Sequence, residues 1–170
     1  MPSWSPCPDS NRGPFPYQGN ALPPELHGRG AAQLDFICYK LGARMPTIEE
    51  ALASARRRIS RLTAEQANAE HAAGALLVDT RTESQRRLQG DIPGALVIDR
   101  TVLEWRLDPT SATRIAGATD HRVRVIVLCA QGYSSSLAAA SLQDLGLINA
   151  TDVIGGFEAW QAARLPIAGP

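Results

Sequence analysis

Val125 to Gly146 reads VIVLCAQGYSSSLAAASLQDLG, and the pattern changes three times within it. A continuous apolar run ends in a cysteine. A short loop of small and polar residues follows, and the chain then enters an alanine-rich segment that Gly146 stops. VRVIVLC (123–129) has the length and branched content of a strand buried on both faces. SSLAAASLQDL (135–145) reads as a helix, with Ser134 or Ser135 as its cap. A strand feeding a helix through a tight loop is half of a parallel crossover unit.

The flanking sequence repeats this alternation. ALLVDT (75–80) and LVID (96–99) predict two further strands and ATDVI (150–154) a fourth. TESQRRLQ (82–89), TVLEWRL (101–107) and GGFEAWQAAR (155–164) predict helical segments, GDIPGA (90–95) a turn, and residues 110–121 a loop. Upstream, Thr47 and Glu50 form a capping box ahead of Ile48, Leu52, Ala55, Ile59 and Leu62, whose spacing lays one stripe along one helix face. Thr63 and Gln66 predict a second cap for a short helix ending near Gly74. Arg56, Arg57, Arg58 and Arg61 fall mostly off the stripe and read as a solvated face. Strands alternating with helices give an α/β fold: one parallel sheet of about five strands with helices on both faces.

Seven of the 12 prolines lie in the first 24 residues, and residues 1–44 show no sustained period. That segment reads as a flexible, Pro-rich tail preceding a domain over 45–170. Met45 directly precedes PTIEEALASARRRI (46–59), so translation from that codon is an expectation that an N-terminal mass measurement on native protein checks. The tail lacks the charged start, apolar run and cleavage pattern of a signal peptide, and no apolar run reaches the ~18 residues of a membrane span. A cytoplasmic protein with reduced thiols and no membrane partner is expected.

Basic and acidic residues balance at 17 each, with Lys40 the only lysine, so nucleic acid is not an implied partner. Cys7, Cys38 and Cys129 are odd in number and far apart. Neither a disulfide framework nor a zinc site is indicated. The length after the tail suffices for a monomer.

Cys129 stands where an open parallel sheet places its ligands, beyond the carboxyl end of a strand. Gly132 lets the following loop bend, and the amides of residues 130–135 are expected to converge on the sulfur with a helix start behind them. Such a nest favours thiolate over thiol and would lower an ordinary cysteine pKa of about 8.5 by roughly one or two units. The plain alternative is a small buried hydrophobe, the commonest fate of an unpaired cysteine. The glycine, the small hydroxyl residues and the helix start weigh toward reactivity. Cys7 and Cys38 have no such context.

Four segments, LLVDTR (76–81), GDIPGAL (90–96), VIVLCAQGYSSSLAA (125–139) and DVIGGFEAW (152–160), together resemble the rhodanese-like sulfurtransferase family. They match its VDxR, GHIPGA, CxxGxxS and GG-x-x-x-W elements in order and spacing, over roughly residues 46–168. The resemblance implies a single rhodanese-like domain in which Cys129 accepts sulfane sulfur and carries it as a persulfide, with no separate cofactor. Ala130, Gln131, Gly132, Tyr133, Ser134 and Ser135 would form the substrate-binding cradle. Donors such as thiosulfate, mercaptopyruvate or a partner's persulfide, and thiol or cyanide acceptors, would meet there in two-step covalent catalysis. A relay dedicated to one sulfur-carrying partner protein shares this chemistry. A non-catalytic binding or regulatory module is the alternative from a different class. Asp79 and Arg81 read chiefly as a structural pair, with substrate contact the lesser reading. Gly155, Gly156 and Trp160 read as the turn and anchor of the last helix.

The sequence departs from the family pattern at the loop. Ala130 and Ser134 stand where many members carry a basic residue, so the cradle has no side-chain cation of its own. Arg106, after the second strand, is the candidate to supply one from outside. Asp91 replaces the usual histidine of GHIPGA. A cysteine phosphatase needs an arginine six residues after the nucleophile to clamp phosphate, and Ser135 stands there. A papain-like pair needs a histidine base; His27, His71 and His121 all read as solvent-exposed.

Overall fold

The structure is a computed structural model that describes residues 45–169; the expected Pro-rich tail, with Cys7, Cys38 and His27, lies outside them. Two helices come first. Helix α1 (Ile48–Arg58) starts at Thr47, whose side chain accepts from the Glu50 amide while the Glu50 carboxylate accepts from the Thr47 amide. Thr63 and Gln66 repeat that box at α2 (Ala64–Ala72). Both pairs are the reciprocal cap foreseen in the sequence. Replacing Thr63 with Ala should lower stability by about 1 kcal/mol, read as a shift of the urea midpoint at unchanged slope.

The chain then alternates between strands and helices. β1 (Leu76–Asp79) leads into α3 (Glu83–Gln89), and β2 (Leu96–Val97) leads through a 3-10 turn into α4 (Leu103–Leu107). β3 (Val125–Leu128) leads into α5 (Ser134–Asp144), and β4 (Ala150–Asp152) into α6 (Gly156–Ala162). These four strands pair in parallel throughout, in the order β2-β1-β3-β4. The described sheet therefore has four strands rather than about five. What would be a fifth is reduced to a single parallel bridge between Leu62 and Val153. Leu62 donates to the Asp152 carbonyl and accepts from the Ile154 amide, after which Thr63 caps α2 and the strand cannot extend.

Period-two alternation divides the sheet between two cores. Val78, Val125 and Val127 face one side with Ile59, Leu103, Leu107, Ala138, Ala139 and Leu142. Leu77, Ile126 and Leu128 face the other with Leu62, Ala67, Phe157 and Trp160. Both faces are covered, as the unbroken apolar runs of β1 and β3 require.

The register fixes where function can sit. Asp79 pairs with Leu128, so β1 and β3 end level. Thr80 donates both its amide and its hydroxyl to the Leu128 carbonyl, locking the two exits side by side. From these central strands the chain runs outward in opposite directions, to β2 from one and to β4 from the other. A crevice at the carboxyl end of such a switch point is the expected ligand site of an open parallel sheet.

Candidate active site

Cys129 is the first residue beyond β3, and its side chain forms part of a cavity of about 270 Å³ lined by Thr80, Arg81, Thr82, Gln85, Ala130, Gln131, Tyr133 and Ser134. The loops leaving β1 and β3 thus share one crevice. The residue is 6% exposed overall, but it is not walled in by aliphatic neighbours. The Gly132 amide donates to Sγ at 3.2 Å and the Ser135 amide at 3.4 Å, and Sγ lies 3.2 Å from the Ser135 hydroxyl.

Burial, the largest single influence, pushes the Cys129 thiol up; the hydroxyls of Ser134 and Ser135 and the amides of Ser135 and Gln131 outweigh it and hold the pKa below the ordinary thiol value. A thiolate accepts hydrogen bonds that a thiol cannot fully use, so these donors favour the charged form. Alkylation of Cys129 by iodoacetamide should therefore reach half its maximal rate below the pH at which an unstructured cysteine does. A Cys129 titration superimposable on that of a free thiol would refute the assignment.

The loop is held in shape by main chain. Gly132 adopts φ +75°, and a Cβ there would lie 2.8 Å from the Gly155 amide nitrogen and 2.9 Å from the Val153 carbonyl oxygen. Gly156 adopts φ +58°, and its added Cβ would overlap the Cys129 carbonyl oxygen and lie 2.7 Å from the Gly132 nitrogen. Two glycine turns thus pack backbone on backbone, which only glycine permits at both positions. The first amides of α6 complete the join: Phe157 donates to the Cys129 carbonyl at 2.8 Å and Glu158 to the Ala130 carbonyl at 3.0 Å. Gly155 and Gly156 therefore do more than turn the chain; they let α6 grip the cysteine loop. Trp160 is fully buried and donates its indole N–H to the Pro166 carbonyl.

Neither Ser134 nor Ser135 caps α5. Its N-cap is Tyr133, which makes no side-chain capping bond. The Ser135 hydroxyl is turned instead toward sulfur and toward Asp152, where its separation from Oδ2 is 3.2 Å. Gln131 points outward to Glu158, and Tyr133 is exposed with its ring 5.2 Å from the Arg56 guanidinium carbon. The amides of Gly132 and Ser135 donate to sulfur, and the Gln131 amide and the Ser134 and Ser135 hydroxyls add to their effect, so the cradle is a partial amide nest assisted by hydroxyls rather than a full ring of amides.

Asp79 and Arg81 form a buried pair with three side-chain hydrogen bonds of 2.6 to 3.1 Å between them. Arg81 also donates to Gln89 and to the Gly90 carbonyl, and its guanidinium carbon lies 3.5 Å from the centre of the Phe157 ring. These bonds tie the exit of β1 to the end of α3 and to α6. Arg81 does border the crevice, with its donors already committed inward.

Arg106 is not part of the lining; its guanidinium donates to the Thr113 carbonyl at 2.7 Å, in the loop that follows α4. The arginines that support the cysteine loop are ones the sequence placed on a solvated face. Arg56 donates to the Gly132 carbonyl at 2.9 Å and to the Ser136 hydroxyl, and Arg61 donates to the same carbonyl at 3.3 Å. Arg61 further clamps Asp152 through two bonds of 2.7 and 3.0 Å. The solvated reading holds for Arg57 and Arg58, which are exposed, but fails for Arg56, because α1 packs against α5, and for Arg61, which follows α1 and is drawn in by Asp152. Asp152 carried a usable signal: a lone carboxylate in the apolar run ATDVI must find a cationic partner if buried, and it is 0% exposed.

Known proteins share this fold. The rhodanese-like domain family matches residues 63–163. Thiosulfate sulfurtransferase GlpE of Pseudomonas entomophila (strain L48) is 35% identical over 102 residues, spanning 60% of this chain and 84% of that protein. A protein of unknown function from Rhodopseudomonas palustris, named a possible tyrosine phosphatase, superposes with a TM-score of 0.66 at 33% identity, covering 74% of this chain and 96% of that one. A thiosulfate sulfurtransferase from Pseudomonas aeruginosa superposes with a TM-score of 0.56 at 27% identity, covering 70% of this chain and 22% of that one. With four motifs in register, a parallel sheet whose central strands open on a cysteine loop, and a match across most of the described residues, the chain belongs to the rhodanese-like domain family.

Proposed function

We propose that this protein is a sulfurtransferase that carries sulfane sulfur as a persulfide on Cys129. The observation that carries the reading is a cysteine at the carboxyl-end switch point of the sheet, bordering an open crevice, with amide donors on its sulfur and a serine hydroxyl at hydrogen-bond distance from it. Relatives named thiosulfate sulfurtransferase support the same chemistry. In the first half-reaction the Cys129 thiolate attacks the sulfane sulfur of a donor. A new S–S bond forms, and the bond to the donor breaks with its electron pair; from thiosulfate, sulfite leaves. In the second, an acceptor thiolate or cyanide attacks the outer sulfur, and Cys129 departs as thiolate. Electrons balance between donor and acceptor, and no cofactor takes part.

Tyrosine phosphatase activity fits this chain poorly. Ser135 occupies the position at which a phosphate-clamping guanidinium is needed. Its hydroxyl faces Asp152, a carboxylate that would repel a phosphate dianion.

The crevice also bears on the donor. Arg81 is the cation among the residues that line it, and Asp79, Gln89 and Gly90 engage its guanidinium. A doubly charged thiosulfate would find hydroxyls, amides and an already paired arginine. This favours, as a second reading, a donor whose sulfur arrives as the persulfide of a partner protein and whose own contacts supply the affinity. The deciding experiment is intact mass spectrometry after incubation with thiosulfate, mercaptopyruvate or a protein persulfide. Gain of one sulfur from any of them supports transfer. No adduct from all three would favour a non-catalytic binding module.

A further inference from the structure

The Ser135 hydroxyl has one hydrogen and two neighbours competing for it. Its oxygen lies 3.2 Å from Cys129 Sγ and 3.2 Å from Asp152 Oδ2. While Cys129 is a thiol the arrangement is self-consistent: S–H donates to Ser135, and Ser135 donates to Asp152. Once the proton has left for solvent, a thiolate can only accept. Ser135 must then turn its hydrogen onto sulfur, or the charged sulfur faces an oxygen lone pair. Turning removes one donor from Asp152, a carboxylate with no exposed surface.

The structure shows what makes that loss tolerable. Asp152 Oδ2 keeps the Ser136 hydroxyl at 2.7 Å and Arg61 Nη2 at 3.0 Å, while Oδ1 keeps Arg61 Nε at 2.7 Å. The Arg61 side chain is itself largely buried, so solvent screens this pair weakly. We propose that Arg61 and Asp152 are positioning residues that act on Cys129 through Ser135: Arg61 neutralises and holds Asp152, which frees the Ser135 hydrogen to turn toward sulfur when the thiolate forms.

The two partners must then act in opposite directions. Without the Arg61 guanidinium, Asp152 draws both serine hydrogens and presents an uncompensated negative charge to the sulfur, so ionisation becomes harder. With Asn at position 152 that charge is gone and a carboxamide N–H can donate to the Ser135 oxygen, so ionisation becomes easier. The other charged groups around the loop remain in both variants. They are Arg56 from α1 on the Gly132 carbonyl, the mutually paired Asp79 and Arg81 after β1, and Glu158 from α6 held by Gln131. A network that merely stiffened the loop would predict harder ionisation from both substitutions.

The test uses the 170-residue chain with Cys7 and Cys38 changed to Ser, so that Cys129 is the single thiol. Alkylation by iodoacetamide, an uncharged reagent, is followed across pH by intact mass. Arg61→Gln should move the half-rate pH upward and slow alkylation near neutrality by roughly tenfold, the equivalent of one pH unit. Asp152→Asn should move it downward and speed alkylation. Arg61→Lys, which keeps the charge but not the two-pronged fork, should fall between wild type and Arg61→Gln. Shifts of the same sign, or an unmoved midpoint in either variant, overturn the proposal. If one variant fails to fold, as checked by circular dichroism, the sign of the other decides. The inference rests on the sulfur-transfer reading for its purpose, but its test needs no sulfur donor. Opposed shifts without any persulfide would sink that reading and leave this one standing.

Discussion

Cys129→Ser should abolish sulfur loading, leaving the mass of the protein unchanged after donor treatment that adds one sulfur to the wild type. The substitution keeps nearly the same volume and replaces a group that the loop holds toward thiolate with a hydroxyl that stays protonated at neutral pH. It also removes the one thiol among the described residues, and with Cys7 and Cys38 changed to Ser in both proteins no other thiol can form the proposed S–S bond. Turnover should fall by on the order of a thousandfold or more, as when a covalent nucleophile is deleted. Stability should barely change, since serine can still accept from the Gly132 and Ser135 amides. An adduct that survives in the variant would place the chemistry on another residue.

The second large effect is expected from Gly156→Ala. A single methyl group there meets the carbonyl of Cys129 and the amide of Gly132, and backbone rather than flexible side chains blocks it on both sides. The positive φ adds strain of about 1–2 kcal/mol for an alanine. Relief of the overlap has to come from moving α6 off the loop, which breaks the bonds from Phe157 and Glu158 to the Cys129 and Ala130 carbonyls. A total loss of roughly 3–5 kcal/mol follows, in the range reserved for few single substitutions. It should be visible as a large drop in the denaturant midpoint, with sulfur loading lost in whatever fraction remains folded. Gly74→Ala makes the control: its φ is +104°, yet no atom lies within 4 Å of an added Cβ, so it should cost only the conformational strain. Equal effects at both sites would show that steric contact with the loop is not the cause.

Much of this architecture could be read in the chain because local and global signals agree. The apolar runs at 76–79 and 125–128 lie between both helical layers and need no alternation. The caps at Thr47 and Thr63 marked helix starts by chemistry that does not depend on tertiary context. Cys129, Gly132 and the double glycine were legible because a tight turn at a strand end leaves few alternatives.

What escaped were choices made by distant partners. Ser135 has the right chemistry for a cap, but a buried acid on the neighbouring strand and a sulfur atom compete for its hydroxyl. Arg106 lay near a strand exit in sequence, whereas Arg56 and Arg61, far from the loop in sequence, reach it through packing of α1 on α5 and through the pairing of Arg61 with Asp152. Leu62, expected on the stripe of the first helix, lies beyond the end of that helix at Arg58, bridges Val153 and is followed at once by a helix-capping threonine, so no fifth strand forms there. Periodicity gives the face a side chain occupies, not what stands opposite it.

The anchorage of the cysteine loop to the last helix is written chiefly in peptide groups, with glycines on both sides and carbonyls accepting from amides, and the exposed Gln131–Glu158 bond is the side-chain addition to it. The Ala130 side chain consequently carries none of the mechanical burden, and those of Gln131 and Tyr133 carry only surface contacts with Glu158 and Arg56. A lineage can exchange these three residues to suit a new sulfur source while the nucleophile's mounting stays untouched, so substrate preference in this fold is free to drift independently of stability.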